Sequence, residues 1–543
     1  MAIPSFFSDF TPCLGVAAGL RPIDAIVLLL YLAAMVAIGV WFSRSGKQAN
    51  TEQYLLGGRG MAWWLIGIAY MMTLLSTNSL VGMPGEAFNH GLTMMLRSIV
   101  SPLVAIVFFY LCTRFFFRSR VFTPFQYLEE RFDSRVRLVG SLGFLLIRLF
   151  YLALVLFSSA KVFEGAAGWP VETSILVVGL IGLFYVFLGG MKAVVWSDFV
   201  QFLVMAGGLI LTAVICVMQV DGGFTGVLSY AFSHDRGFEG LKDPSFYSFD
   251  PYVRLSLGVL IFVTLSDRLF YSSADQLSVQ RLLSTASYKQ AERSMWFSQA
   301  LTIPVILGLW FLGLGMFAFY GQHYAPETTM RGDVALFHFV ANHLPPVASG
   351  LFLAACLGAI MSTLDAGFHS LATVVTKDVY AKHWRKNADD ADQLRFSKVC
   401  LAAIGLFAIG IALSMAIAAD NIADSFMETM VFWISFQGVL AILFLLGATS
   451  CRVTAGDVLR AFAVGCVVTA VMVVWYLQSR ASGQPISFLF VSVPGEVAMI
   501  VAGFLPAFWR KKLPLAKIDG LTLWTLNRNK KRQEGDNSVQ QRS

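Results

Sequence analysis

Charge is scarce in this chain. Of its 543 residues only 13% are Asp, Glu, Lys or Arg, against about 25% in soluble domains. With 57% hydrophobic residues and a mean hydropathy of +0.68, that scarcity excludes a soluble fold. It leaves an all-α integral membrane protein with many spans. Cysteine is thin too. Of seven, Cys112, Cys216, Cys356, Cys400 and Cys466 fall in apolar segments, Cys451 lies near a helix end and Cys13 stands alone. No CxxC pair or His/Cys cluster occurs, which excludes a disulfide framework and a zinc site. The seven histidines are scattered, and no nucleophile–base or metal constellation marks an enzyme. His369, alone in an apolar helix, reads as core. The net charge of +7 does not point to nucleic acid, because the basic residues gather in particular loops. No organic cofactor is implied, and no feature specifies an oligomeric state.

What is present is a series of apolar runs long enough to cross a bilayer. About 13 are expected, near 22–43, 61–82, 92–113, 137–166, 172–189, 193–218, 252–274, 293–321, 346–376, 397–419, 424–447, 456–478 and 488–508. The first has no basic segment before it and reads as a retained helix rather than a signal peptide. Arg114, Arg118, Arg120, Arg131, Arg135 and Arg137 crowd one loop, and Lys382, Arg385, Lys386, Arg395 and Lys398 another. The tail is equally basic, whereas 83–91 and 420–423 carry no Lys or Arg and 322–345 only Arg331. The positive-inside rule then puts the N-terminus outside and the C-terminus in the cytoplasm of a cell (plasma or inner) membrane. The loop 219–251, rich in Gly, Asp, Phe and Tyr, is a candidate lid. The tail beyond Trp509 is expected to be disordered or to lie on anionic lipid.

Residues 354–380, AACLGAIMSTLDAGFHSLATVVTKDVY, hold a cluster of oxygen-bearing side chains within an apolar span. Ala359, Ser362 and Thr363 share one helix face, and Asp365 and Ser370 add polarity. Such groups are costly in hydrocarbon without a partner, a cavity or an ion. Hard cations prefer oxygen ligands, so the cluster reads as a cation site. Close helix packing through small residues is the alternative.

The second span carries the polar run Ser76, Thr77, Asn78, Ser79, and the seventh is interrupted by Ser266, Asp267 and Arg268. Two interrupted helices, each opening a five-helix group, are the trace of an inverted-repeat transporter. The groups would be 61–218 and 252–447, after an N-terminal part with a peripheral helix (1–60) and before peripheral helices (448–510) and a basic tail (511–543). Unwound backbone near Met72 and Leu75 would offer carbonyls to a cation.

At this point the chain resembles a family. EQYLLGGRGMAWWLIGIAY (52–70), GMKAVVWSDFVQ (190–201), DQLSVQR (275–281) and AIMSTLDAGFHSLATVVTKDVY (359–380) are similar to motifs of the sodium:solute symporters, the family of the sodium/glucose cotransporters. The resemblance runs from about residue 22 to 510. It implies the leucine-transporter fold (LeuT type), five plus five inverted helices with one helix before them and two or more after. It also implies a sodium site made by Met72, Leu75, Ala359, Ser362 and Thr363. Asp198 resembles a residue that some members use for a second sodium. Asp365 stands where those members have a serine hydroxyl. The two carboxylates would bind a second cation or share a proton; alternatively, Asp198 makes a structural ion pair.

The resemblance also marks substrate positions. Ser76 and Ser79 fall on the first core helix, Ser98 and Ser101 on the second, Arg268 and Tyr271 on the sixth, and Thr302 on the seventh. Of the sugar-binding residues only the tyrosine is retained. Arg148, deep in GFLLIRLFYLALVLF, lies on the helix that grips a carboxylate in members that carry acidic sugars. Guanidinium suits that geometry. The alternatives are an internal ion pair with Asp267 or Glu428, or snorkelling; Arg97 and Arg268 read as structural or gating residues. The expected function is a secondary active symporter. It would couple inward sodium flow to uptake of a small polar solute: a sugar, a sugar derivative or a carboxylate. Proton coupling and a transporter-like solute sensor are the rivals.

Overall fold

The computed structural model describes residues 21–44, 50–75, 77–324, 332–417 and 425–526. Ser76, Cys13, Arg331, the loop 420–423 and the tail beyond residue 526 lie outside them. The helices are α1 (Pro22–Arg44), α2 (Trp63–Leu74), α3 (Thr77–His90), α4 (Met95–Arg118), α5 (Ser134–Ala167), α6 (Val171–Met218) and α7 (Leu257–Ser273). They continue as α8 (Gln276–Leu283), α9 (Tyr288–His323), α10 (Ala348–Val374), α11 (Asp390–Ile417), α12 (Ser425–Thr449), α13 (Ala455–Ala481) and α14 (Ser492–Phe508).

Helix α6 has 48 residues, about twice what one crossing needs. It turns at Gly190, whose φ of 56° and ψ of −154° lie outside the helical region. A side chain there would meet Tyr54, 2.6 Å from its ring and 2.9 Å from its carbonyl oxygen. Glycine therefore permits both the turn and the close approach. Helices α2 and α3 form one broken span, bent by 56°, and α7 and α8 another, bent by 49°. Among the described residues ten segments are long and apolar enough to cross a bilayer with each broken pair joined, eleven with α6 split at Gly190, and Ser435–Thr449 and Ser492–Phe508 are shorter apolar helices.

The first break agrees with the polar run that predicted it. The second does not. Ser266, Asp267 and Arg268 are wound into α7, and the chain leaves the helix at Ala274 and Asp275. Asp267 stays helical because Arg97 of α4 neutralises it in an ion pair. Asp275 makes the new start, its carboxylate accepting from the backbone and hydroxyl of Ser278.

The core helices pack in two groups. Helices α2, α3, α4, α7 and α9 lie against one another, and so do α5, α6, α10 and α11, with the second half of α6 also touching α2 and α9. Helix α10 is the centre, buried over almost its whole length. Its turns continue past Val374 as a π-helical stretch, Val375–Trp384. Helix α1 is clasped to its start. Asp24 accepts from the backbone of Val347 (2.8 Å) and Gly350 (3.0 Å) and from the Ser349 hydroxyl (2.8 Å), a negative charge at a helix N-terminus. Apolar side chains of α1, α4, α6 and α13 face outward.

The loop 219–251 carries structure of its own, and the tail differs from expectation. Within 219–251 the chain forms a helix, Gly223–Ser233, and Arg236 reaches the carbonyl of Phe88 at the end of α3 (2.9 Å). Beyond Trp509 the chain is docked, not loose, as far as Leu526. Leu523 N–H donates to the Ala448 carbonyl (2.9 Å) and Trp524 Nε1 to that of Thr449 (2.6 Å). The apolar Leu521, Leu523 and Leu526 pack on the core there, which a reading of the basic residues alone misses.

Candidate functional site

Two buried polar groups lie where the packing groups meet. The first is on α10. Ala359, Ser362, Thr363 and Asp365 are all fully or nearly fully buried, as are Met72 and Leu75 at the end of α2, which packs against α10. Leu75 is extended (φ −101°, ψ 107°), its N–H shared between the carbonyls of Met71 and Met72 (3.2 Å each), so the helical ladder of α2 ends there and each carbonyl keeps a lone pair. The Thr363 hydroxyl donates to the Ala359 carbonyl (3.1 Å) and the Ser362 hydroxyl to Asp198 Oδ1 (2.6 Å). Each hydroxyl thus hands its proton away and keeps lone pairs available.

Asp198 is held in turn by Arg281 of α8, whose Nη2 lies 3.0 Å from Oδ2. The same nitrogen is 4.0 Å from Asp365 Oδ1. Asp365 also accepts from the Tyr185 hydroxyl (2.5 Å) and from Ser197 (3.2 Å), and Gln201 donates to Tyr185 (3.4 Å). Two carboxylates therefore share one guanidinium in a buried interior. Arg281 Nε and Gln201 Oε1 have no hydrogen-bond partner among the described residues.

The second group is built at the α7/α8 break. Arg148 of α5 reaches across with Nε at 3.1 Å and Nη2 at 2.7 Å from a single oxygen, Oδ1 of Asp275. Its guanidinium lies 5.1 Å from the ring centre of Tyr151, 5.4 Å from Phe270 and 6.0 Å from Tyr271. Arg268 stands over the Tyr271 ring as well, at 5.1 Å. Arg148, Arg268 and Tyr271 are therefore together. Among the described residues no hydrogen bond joins Ser79, Ser98, Ser101 or Thr302 to them, and Thr302 returns its hydroxyl to Ser298 of its own helix (2.7 Å). Ser76 lies outside the described residues. The expected internal partner of Arg148 is also corrected, since Asp267 belongs to Arg97 and the side chain of Glu428 is not among those described.

Sequence reasoning missed Asp275, Arg281, Tyr185 and Gln201. The first two sit inside DQLSVQR, where an acid and a base bracket an eight-residue helix. That was a usable signal. Tyr185 and Gln201 gave none, being single polar residues in apolar runs.

Comparison with known proteins decides the class. A family model described as the sodium:solute symporter family matches residues 54–465. The chain belongs to that family. Similar full-length proteins include the sodium/sialic acid symporter SiaT of Proteus mirabilis, 25% identical over 89% of this chain and 95% of that one. The sodium/sialic acid symporter NanT of Aliivibrio fischeri is 26% identical over 92% and 96%. A solved structure of a Na+-coupled sialic acid symporter, substrate-bound and outward-open, superposes with a TM-score of 0.80 at 24% identity, over 91% of this chain and all of that one. That likeness establishes the LeuT-type inverted-repeat fold. The chain is a multi-pass, sodium-coupled solute symporter of a transporter family, not of an enzyme family.

Proposed function

We propose that this symporter imports an anionic sugar derivative of the sialic acid type across the plasma membrane. The observation that carries this is Arg148, a buried guanidinium among aromatic rings at the second helix break. Asp275 gives it one oxygen and spends the other on Ser278. A substrate carboxylate would present two oxygens to the guanidinium fork, the stronger geometry. It would thus exchange with Asp275 while Tyr271 covers the sugar ring. The names of the two full-length relatives support the same class.

Sodium would be held by the carbonyls of Met72, Leu75 and Ala359 and the hydroxyls of Ser362 and Thr363. The Thr363 hydrogen points to the Ala359 carbonyl and that of Ser362 to Asp198, so both hydroxyl oxygens keep lone pairs for the ion. A second cation would bind at Asp198 and Asp365, where one guanidinium leaves a surplus negative charge. Both breaks lie between the two packing groups, so ion and solute would bind where those groups move relative to each other. The repeats would span 61–218 and 252–447, with the Lys/Arg-rich loops in the cytoplasm.

The test is uptake into proteoliposomes of N-acetylneuraminate, a neutral hexose and a monocarboxylate, each under a sodium, potassium or proton gradient. Sodium-driven accumulation of the acidic sugar above the others is expected. Accumulation driven by protons alone, or a preference for the neutral hexose, would refute the reading.

A further inference from the structure

Beside the start of α9 lies a cavity rich in arginine. It measures 390 Å3 and is lined by Arg59, Arg114, Arg118, Arg120, Ser287 and Tyr288 among others. Arg59 is paired with Glu52 (2.7 Å). Arg114, Arg118 and Arg120 have no carboxylate within ion-pair distance among the described residues. Arg114 is exposed but held against Tyr288, donating from Nε to its hydroxyl (3.2 Å) and lying 5.6 Å from its ring centre. Two neighbouring acids are engaged by hydroxyls, Glu292 by Tyr110 (2.5 Å) and Glu130 by Ser119 (2.5 Å). Ser287 caps the start of α9, so the field of that helix terminus adds to the positive charge.

The surroundings say what kind of anion fits. On α4, Val100, Leu103 and Val107 are exposed apolar side chains. Tyr110, Arg114 and Arg118 follow at the same helical spacing, so one face runs from hydrocarbon to guanidinium. On α9, which packs beside α4, the exposed Leu307, Ile303 and Trp296 lead down to Tyr288 in the same way. Trp296 Nε1 donates to the Tyr110 hydroxyl (3.2 Å), an aromatic layer of the kind found at the membrane–water boundary. A soluble phosphate would use the cavity and ignore the apolar track. A phospholipid would use both.

We propose that this cavity holds the phosphate headgroup of an anionic phospholipid whose acyl chains lie along the exposed α4–α9 face. Basic pockets on the cytoplasmic side of membrane helices suit such headgroups, and these arginines belong to a loop that the charge pattern places there.

The experiment reconstitutes the full-length transporter in bilayers of phosphatidylcholine with a minor fraction of phosphatidylglycerol and counts retained lipid by native mass spectrometry. Wild type should retain phosphatidylglycerol preferentially. Arg114→Gln with Arg118→Gln and Arg120→Gln should lose that preference, by about fivefold per arginine. Replacing the same three by lysine should keep most of it, which separates lost charge from lost folding. Arg395→Gln with Lys511→Gln and Lys512→Gln removes as much charge elsewhere and should change nothing. A preference unchanged in the pocket variant, or lost equally in the second set, would overturn the site. Displacement of the lipid by millimolar inorganic phosphate or glycerol phosphate would overturn the lipid as its occupant.

Discussion

Replacing Arg148 by lysine separates a substrate clamp from a structural ion pair. The side chain is almost fully buried, and its two hydrogen bonds to Asp275, at 3.1 and 2.7 Å, converge on one oxygen. An ammonium can meet a single oxygen nearly as well as a guanidinium can. It cannot meet the two oxygens of an incoming carboxylate in parallel. The resident pair should therefore survive the substitution while the substrate pair loses one charge-assisted hydrogen bond, about 2 kcal/mol. That corresponds to about thirtyfold in apparent affinity. The assay is competition for sodium-driven uptake by N-acetylneuraminate and by its methyl ester, which keeps the ring and removes the charge. The acid should weaken about thirtyfold in Arg148→Lys, while inhibition by the ester should move little. Equal changes for acid and ester, or no change for either, would show that Arg148 does not contact the substrate carboxylate.

Ser362→Ala or Thr363→Ala should each weaken apparent sodium affinity at least about tenfold, since the dehydrated ion loses one of its oxygen ligands; unchanged sodium dependence in both would remove α10 from the site. One sodium with one anion carries no net charge, whereas a second cation moves one charge, about 2.3 kcal/mol per 100 mV. An inside-negative potential of that size should therefore raise steady-state accumulation about fiftyfold. Asp365→Asn should abolish the voltage response while leaving sodium dependence, and a voltage-insensitive wild type would exclude the second cation. Gly190→Ala should lower stability by about 2 kcal/mol or more, from its positive φ and the contact with Tyr54. A melting temperature equal to wild type would contradict the geometry of the turn.

Much of the architecture was legible in the sequence because a bilayer imposes length and polarity on each segment. The split of 172–218 was placed beside Gly190, where the helix does turn, and the α2/α3 break fell at the polar run. The spacing of Ala359, Ser362 and Thr363 put them on one helix face, and they are buried together on α10. The α7/α8 break was misplaced because the polarity of Ser266–Arg268 is answered by a partner on another helix, and hydropathy carries no information about partners. For the same reason ion pairs could be offered for Arg148 and Asp198 but their partners, Asp275 and Arg281, could not be named; they lie 127 and 83 residues away in the chain. The docked residues near Leu523 were missed because a few leucines among lysines do not register in a window long enough to detect a span.

Helix α8 has an acid at its start and a base near its end, and each is committed to a different neighbour, Asp275 to α5 and Arg281 to α6. This has a consequence for how such a sequence can drift. A single replacement of Asp275 strands Arg148 in the membrane interior, at about 2.5–3.5 kcal/mol on insertion scales. A single replacement of Asp198 does the same to Arg281, apart from what Asp365 recovers at 4.0 Å. Viable lineages should therefore change these positions in couples, or first pass through a neutral residue on the cationic side. Exchange of acid and base within a pair should rescue folding where either half alone fails. Around α8 the ancestry of the chain is held to paired steps, while the outward faces of α1 and α13 can accept almost any apolar residue one at a time.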